Sequence, residues 1–188
     1  APEQSTDGKV GEEGEFLIEV SLMVDIGLIG LPNAGKSTLL NNITNAKSRI
    51  GAYPFTTLEP HLGDFYGYVI ADIPGLISGA AKGKGLGHKF LKHVSRTKML
   101  LHLVSLESEN PAETYYTIRE ELSEFDKTLS EKEEWIILTK KDLAKQEDID
   151  SAVTDLEKTE KRVLVISEND PDSIKKLSAE ISSHLNQA

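Results

Sequence analysis

The sequence predicts an α/β fold, in which a mostly parallel sheet carries helices on both faces. The first observation is that apolar, strand-length runs alternate with segments of helical periodicity from about residue 24 to the C-terminus. Such alternation requires crossover connections, which place parallel strands side by side and helices on either face. The second observation is the length of 188 residues, which suits one domain of ordinary size.

The individual elements follow from these runs in order. The predicted strands are residues 15–24, 24–30, 67–72, 99–106, 135–139 and 162–167. The predicted helices are residues 36–46, 111–125, 148–158 and 172–185. Pro111 suits the first turn of its helix, and Tyr115, Ile118 and Leu122 follow at helical spacing. Residues 1–14 are rich in glycine, glutamate and turn formers, which predicts a linker or a domain edge.

Composition excludes several classes of protein. The formal net charge of −10 argues against a protein that coats nucleic acids. The lack of cysteine excludes disulfides, thiolate metal sites and a cysteine nucleophile. No apolar run approaches the ~20 residues of a membrane helix, and the N-terminal residues lack the apolar core of a secretory signal. These features suit a cytoplasmic protein with no membrane partner, and we expect a monomer.

The segment GLPNAGKST, residues 30–38, predicts a phosphate-binding loop. It matches the pattern G-x-x-x-x-G-K-[ST] between a predicted strand and a predicted helix. Glycines let backbone amides approach the phosphates, and the helix N-terminus adds partial positive charge. Lys36 would reach the β- and γ-phosphates, and the Ser37 hydroxyl would ligate Mg²⁺. The alternative is a glycine turn with a stray lysine. The residues expected at the phosphates are Pro32, Asn33, Ala34, Gly35, Lys36, Ser37 and Thr38.

Two later motifs supply the rest of the predicted phosphate and metal site. YPFTTLEP places Thr56 and Thr57 in a loop, where a threonine can complete the magnesium shell when a γ-phosphate is present. DIPG places Asp72 at the end of a strand, where it would hold a metal-bound water, and gives Gly75 an amide for the γ-phosphate. Because these motifs fall at the carboxyl ends of strands, where open α/β sheets bind ligands, we expect one nucleotide site.

Asp142, in the segment TKKDL, predicts which base is bound. A carboxylate can accept hydrogen bonds from the N1–H and the 2-amino group of guanine, whereas adenine offers neither donor there. Lys140 would lay its aliphatic stem along the base. The alternative is a helix-capping aspartate beside surface lysines. The predicted nucleotide is therefore GTP. The other residues expected around it are Phe55, Thr139, Leu143, Ser167 and Glu168.

The sequence closely resembles the Obg family of bacterial translation-factor-class GTPases in the segments GLPNAGKSTLL, YPFTTLEPHLG, ADIPGLISGAAKGKGLGHKFLKHVSRTK and LLHLV. The resemblance implies the three-layer P-loop NTPase fold of Ras-like GTPases, with a GTPase domain over residues 24–188. It implies that residues 1–23 are a linker and the trailing strand of a missing N-terminal domain. It also implies Mg²⁺-dependent GTP hydrolysis, binding of GDP or a guanine alarmone, and a role in large ribosomal subunit assembly and stress-linked growth control.

Two residues depart from the family pattern. The base motif usually begins with asparagine, and here Thr139 stands in its place. A hydroxyl can still tie the loops together, with fewer hydrogen bonds. The last motif usually reads Ser-Ala, and here Glu168 follows Ser167. A carboxylate near the guanine O6 is unfavourable unless it turns outward, so both departures bear on affinity.

Leu76 stands where Ras-type GTPases carry the glutamine that orients the attacking water. Leucine cannot do this, so the task falls to backbone groups, a partner's side chain or a monovalent cation. Related families include potassium-stimulated members, and Asn33 is the candidate K⁺ ligand. The alternative is that Asn33 only hydrogen-bonds within the loop. The resemblance thus implies catalytic roles for Lys36, Thr57, Gly75 and Asn33.

The run from Lys82 to Lys98 carries six basic residues and no acid. With its glycines, it predicts a segment that reorders with nucleotide state and contacts ribosomal RNA or protein. The alternative is a solvated helix face. Of the other titratable residues, His102 is expected to pack in the core, and Glu133 and Glu134 are expected to be solvated with the acids that precede them.

Two rival functions stay open. One is a non-enzymatic sensor of guanine nucleotides with negligible unassisted turnover, which Leu76 favours. The other is an ATPase of the related Obg-like branch, which Asp142 opposes.

Overall fold

The computed structural model describes residues 8, 11, 13–15, 24–44, 49–50, 61–73, 97–125 and 127–187. The strands are β1 (Ile26–Gly30), β2 (Arg49–Ile50), β3 (His61–Phe65), β4 (Tyr68–Asp72), β5 (Met99–Ser105), β6 (Glu133–Thr139) and β7 (Arg162–Val165). The helices are α1 (Lys36–Ile43), α2 (Pro111–Phe125), α3 (Lys127–Ser130), α4 (Gln146–Glu157) and α5 (Pro171–Leu185), with a 3-10 turn at Lys141–Leu143. The predicted strand over residues 15–24 lies almost wholly outside the described residues.

The strands form one sheet in the order β2-β3-β4-β1-β5-β6-β7. The pairings β4–β1, β1–β5, β5–β6 and β6–β7 are parallel, whereas β2–β3 and β3–β4 are antiparallel. The predicted fold class is therefore confirmed. Chain order reverses at β1, which lies between β4 and β5, and open α/β sheets bind ligands at such a point.

Strand β3 was not among the predicted strands. It pairs with β4 through a two-residue turn in which Tyr66 and Gly67 both have positive φ, 50° and 88°. This is the backbone conformation that closes a tight hairpin. Gly63 lies in β3 under α1, where an added Cβ would come within 2.3 Å of the Thr44 Cγ2. A short strand interrupted by glycine gives little periodic signal, which explains the omission.

The helices cover the two faces of the sheet. On one face, Leu40 of α1 and Ile181 of α5 belong to the same buried cluster as Leu28 and Leu101 of the central strands. The opposite face has two smaller clusters. One joins Ile118 and Leu122 of α2 to β1 and β5, and the other joins α4 to β5 and β6.

A buried polar cluster lies on that second face. His102 is fully buried, and its Nδ1 is 3.0 Å from Glu134 Oε1. Glu134 Oε2 also contacts the Tyr115 hydroxyl at 3.2 Å and the Arg119 Nη1 at 3.0 Å. Burial lowers the pKa of His102 despite the nearby carboxylate, so the ring is neutral. The expectation for His102 is confirmed, whereas Glu134 is 2% exposed and the expectation of a solvated residue is wrong.

None of the helices within the described ranges is both long enough and apolar enough to cross a bilayer.

Candidate functional site

The phosphate loop connects the carboxyl end of β1 to the N-terminus of α1. Gly30 has φ of 145°, and a Cβ there would lie 2.3 Å from the Leu103 carbonyl oxygen on β5. Gly35 precedes α1 with φ of 92° and contributes no side-chain cap. The first-turn amides of α1 are therefore left for another acceptor, which is the arrangement that binds phosphate.

Lys36 folds its side chain back over the loop. Its Nζ donates to the Gly30 carbonyl at 3.0 Å and to the Leu31 carbonyl at 2.9 Å. Burial lowers the pKa of Lys36, and the negative charge of Asp72 opposes this shift. The loop thus holds a partly desolvated cation next to the open helix end.

Ser37 and Asp72 meet beside the loop. Ser37 Oγ donates to Asp72 Oδ2 at 2.6 Å, and Asp72 is 5% exposed at the end of β4. Within the described part of the chain, Asp72 Oδ1 is buried and accepts no hydrogen bond. Mg²⁺ prefers hard oxygen ligands such as a hydroxyl, and an unsatisfied carboxylate oxygen can accept a hydrogen bond from a metal-bound water. The pair therefore fits a magnesium site.

Thr139 joins the end of β6 to the phosphate loop. Its Oγ1 donates to the Ala34 carbonyl at 2.9 Å, and Val104 O lies 3.4 Å away. Both Thr139 and Ala34 are buried. The threonine hydroxyl thus makes a tie between the loops, as its position in the base motif predicts.

The residues predicted to select the base lie after β6 and β7. Lys140 has a left-handed backbone, with φ of 61°, and its Nζ forms an ion pair with Glu107. Asp142 accepts hydrogen bonds from Ser167 Oγ and from Asn169 Nδ2, the latter at 2.8 Å. These hydrogen bonds hold the pKa of Asp142 below its usual range.

Asp142 is not a helix cap, which was the alternative for this residue. The residue before α4 is Lys145, and no side-chain hydrogen bond caps that helix.

The other predicted base-site residues differ in exposure. Leu143 is 63% exposed, and Ser167 is buried. Glu168 is exposed, as a carboxylate near the base would need to be.

A cleft of about 380 Å³ brings the two ends of the site together. Its wall contains Asn33, Gly35, Lys36, Ser37, Thr38, Leu39, Asn42, Thr139, Lys140, Ile166, Glu168 and Ile174. Asp142 and Ser167 are not in this wall but adjoin its residues in sequence. Four wall residues were not predicted: Leu39, Asn42, Ile166 and Ile174. Ile166 ends the apolar run just before Ser167, so that run was its signal, whereas the others depend on helix packing.

Several predicted site residues lie outside the described ranges. They are Phe55, Thr56, Thr57, Gly75, Leu76 and the basic run up to Arg96. Lys98, at the end of that run, is described: its Nζ is 3.3 Å from Asp25 Oδ1 and 4.8 Å from the centre of the Tyr68 ring.

The sheet order, the phosphate loop at the central strand and the carboxylate held after β6 together define a P-loop GTPase domain. Residues 25–141 match the family model described as 50S ribosome-binding GTPase. The GTPase Obg of Prochlorococcus marinus (strain NATL1A) is 48% identical over 173 residues, covering 89% of this chain and 53% of the relative. That of Orientia tsutsugamushi (strain Boryong) is 45% identical over 192 residues, covering all of this chain and 58% of the relative. The chain belongs to the Obg family of GTPases.

The chain spans between about half and three-fifths of the length of these curated relatives. Among solved structures, the G domain of the T. maritima FeoB iron transporter matches with a TM-score of 0.58 and 23% identity, covering 87% of this chain and 99% of that one. Translation elongation factor SelB from Methanococcus maripaludis matches with a TM-score of 0.56 and 17% identity, covering 90% and 34%. At these identities the likeness shows the fold alone.

Proposed function

We propose that this domain is a magnesium-dependent switch that binds GTP and hydrolyses it to GDP and phosphate. The observation that carries the proposal is one cleft that joins the phosphate loop to the residues after β6 and β7. Membership of a GTPase family supports the same reaction. The steps below assign a task to each end of the cleft.

Lys36 and the amides at the start of α1 would bind the β- and γ-phosphates. A lysine ammonium has three N–H donors, and the carbonyls of Gly30 and Leu31 take two of them. The third is left for a phosphate oxygen. Burial lowers the pKa of Lys36 because it disfavours the charged form, and a phosphate's negative charge would offset that cost.

Ser37 and Asp72 would hold Mg²⁺, the first through its hydroxyl and the second through a bound water. When bound, the ion neutralises negative charge that develops on the phosphate oxygens. The buried, unsatisfied Asp72 Oδ1 supports this assignment, because such an atom is costly without a partner. Thr57 is proposed as a further ligand from the sequence motif alone.

Asp142 would select guanine by accepting hydrogen bonds from the N1–H and the 2-amino group. Its lowered pKa supports this role, because the ionised carboxylate is purely an acceptor. The aliphatic stem of Lys140 would lie along the base, whether its ion pair with Glu107 breaks or is kept. Ile166, in the wall of the same cleft, offers the base an apolar surface.

The attacking water would be oriented without a glutamine, since Leu76 cannot do so. We propose a K⁺ ion held in part by the Asn33 amide oxygen, with the Gly75 amide on the γ-phosphate. Asn33 lines the cleft, which supports the proposal. Its φ of 62° is a conformation that asparagine tolerates, so a purely conformational role is the competing explanation.

The biological role that we propose is in large ribosomal subunit assembly and stress-linked growth control, in the cytoplasm and as a monomer. The family description, 50S ribosome-binding GTPase, supports a ribosomal partner. The basic run Lys82–Lys98 is its proposed contact, and residues 1–23 are proposed to be the end of a preceding domain.

The proposed function is tested by two measurements on this chain. First, GTP and ATP are tested as competitors of labelled GDP. Displacement by GTP but not by ATP is expected. Equal displacement by both would support the alternative function, an Obg-like ATPase. Second, single-turnover phosphate release from GTP is followed with Mg²⁺ in KCl and in NaCl at equal ionic strength. Phosphate release is expected in both, faster in KCl. No release in either salt would instead support the non-enzymatic sensor.

A further inference from the structure

Asn169 follows β7 and contacts the base-selecting carboxylate directly. Its Nδ2 donates to Asp142 Oδ2 at 2.8 Å, while Ser167 Oγ donates to the other oxygen, Oδ1. The backbone N–H of Asn169 donates to the same Ser167 Oγ at 3.0 Å. Asn169 therefore holds Asp142 along two paths, one direct and one through Ser167.

The hydrogen-bond capacity of Asp142 matches what guanine requires. An ionised carboxylate offers about four acceptor positions, two on each oxygen. Asn169 and Ser167 each occupy one position, on different oxygens, so these two donors saturate neither oxygen. Guanine presents two donors on this edge, the N1–H and the 2-amino group. A carboxylate held against rotation can accept both at once.

The turn that carries Asn169 is itself fixed. The Asp170 N–H donates to the Ser167 carbonyl at 3.1 Å, and the Asp170 side chain accepts from the first amides of α5. The same side chain forms an ion pair with Lys141, the neighbour of Asp142. Asn169 is thus attached to the Asp142 loop on both sides, so its amide has a defined position.

We infer that Asn169 is a positioning residue for guanine recognition, which orients the Asp142 carboxylate to accept from both guanine donors. The inference rests on the proposed function, because it requires that Asp142 bind guanine. Asn169 lies outside the predicted site residues, which end at Glu168.

The test compares dissociation constants for GDP and for IDP, which lacks only the 2-amino group. A carboxylate free to rotate still satisfies one donor but not two, so losing Asn169 affects GDP more than IDP. In Asn169→Ala we expect GDP binding to weaken about tenfold and IDP binding about twofold or less. Asn169→Asp replaces the donor with a like charge beside Asp142, and the GDP loss is expected to be larger. Asn186→Ala, at the exposed end of α5, is the matched control.

The outcomes are distinguishable. A fall in the ratio of the IDP to the GDP dissociation constant, with an unchanged unfolding temperature, supports the positioning role. An equal loss for both nucleotides, or no loss, overturns it, because a merely structural residue would not alter the ratio. If the unmodified chain fails to prefer GDP over IDP, the guanine assignment of the proposed function fails before the variants are considered.

Discussion

Thr139 Oγ1 donates a 2.9 Å hydrogen bond to the carbonyl oxygen of Ala34, so the last residue of β6 anchors the phosphate loop. The two residues are 105 positions apart in the chain, and both are buried. The bond connects the part of the cleft that would hold the base with the part that would hold the phosphates.

Replacing Thr139 tests this connection. Thr139→Val keeps the side-chain shape but leaves the Ala34 carbonyl without its donor, so we expect the free energy of unfolding to fall by about 1–3 kcal/mol. GDP should also bind more weakly, because the loop loses an anchor. Thr139→Asn, with the residue usual in the family, should retain or tighten GDP binding. Titration calorimetry and denaturant unfolding measure both effects. Thr154→Val, at an exposed position on α4, is the control, and equal behaviour of the two valine variants would contradict the prediction.

Asp72→Asn tests the proposed magnesium site. The amide still accepts the Ser37 hydrogen bond but removes the negative charge, so Mg²⁺ should no longer tighten GTP binding. We expect GTP hydrolysis to fall by about 100-fold or more, as is typical when a group that stabilises transition-state charge is removed. GDP binding in EDTA should change little. Asp64→Asn, on the exposed side of β3, controls for charge. Undiminished Mg²⁺ dependence in Asp72→Asn would assign the metal elsewhere.

Asn33→Gly tests whether Asn33 is a ligand of K⁺ or only supports the conformation of the phosphate loop. Glycine adopts the φ of 62° without strain, so the loop shape is kept while the amide oxygen is lost. If Asn33 ligates K⁺, phosphate release should become equal in KCl and NaCl while GDP affinity stays nearly constant. Stimulation by K⁺ that persists in Asn33→Gly would leave only the conformational role. Asn186→Gly serves as the control for an asparagine-to-glycine change.

The buried His102 predicts a loss of stability in mild acid. Its folded pKa is lowered by burial, so below about pH 6.5 the unfolded chain binds a proton that the folded chain does not. The free energy of unfolding should therefore decrease as the pH is lowered, by at most about 1.4 kcal/mol per pH unit from this group. In His102→Asn, whose amide can still donate to Glu134, the fall between pH 7 and pH 5 should be smaller. Denaturant midpoints across that range measure the effect, with His61→Asn as control; parallel slopes for His102→Asn and the parent chain would refute it.

Charge reversal in the basic run tests the proposed ribosomal contact. Lys89→Glu with Lys92→Glu should reduce co-sedimentation with large ribosomal subunits in the presence of a non-hydrolysable GTP analogue. The reason is that the run carries no acid to compensate for the reversal. The same substitutions at Lys175 and Lys176, exposed on α5, control for net charge. Unaltered binding would favour a solvated helix face.

Much of the fold followed from the sequence because its signals are local. The alternation of runs and the GLPNAGKST loop were sufficient to predict the central strands, α1 and a nucleotide-binding loop. Contacts between residues that are distant in the sequence, such as those that hold Asp142 and Glu134, depend on the tertiary structure and leave no local signal. Nothing in the local pattern around Asn169 indicates that its amide reaches Asp142, 27 residues earlier. Glu134 stands in an acidic stretch, and its contacts with His102, Tyr115 and Arg119 explain why it is buried.

Gly63 packs closely against the helix that follows the phosphate loop, although its strand, β3, carries no sequence motif. A Cβ at this position would meet Thr44 and Leu40, in or next to the helix that begins at Lys36. A larger residue would have to displace these side chains or shift the C-terminal end of α1, the helix whose first turn carries Lys36 and Ser37. In a saturation mutagenesis screen, position 63 should therefore tolerate substitution poorly, although it belongs to no nucleotide-binding motif.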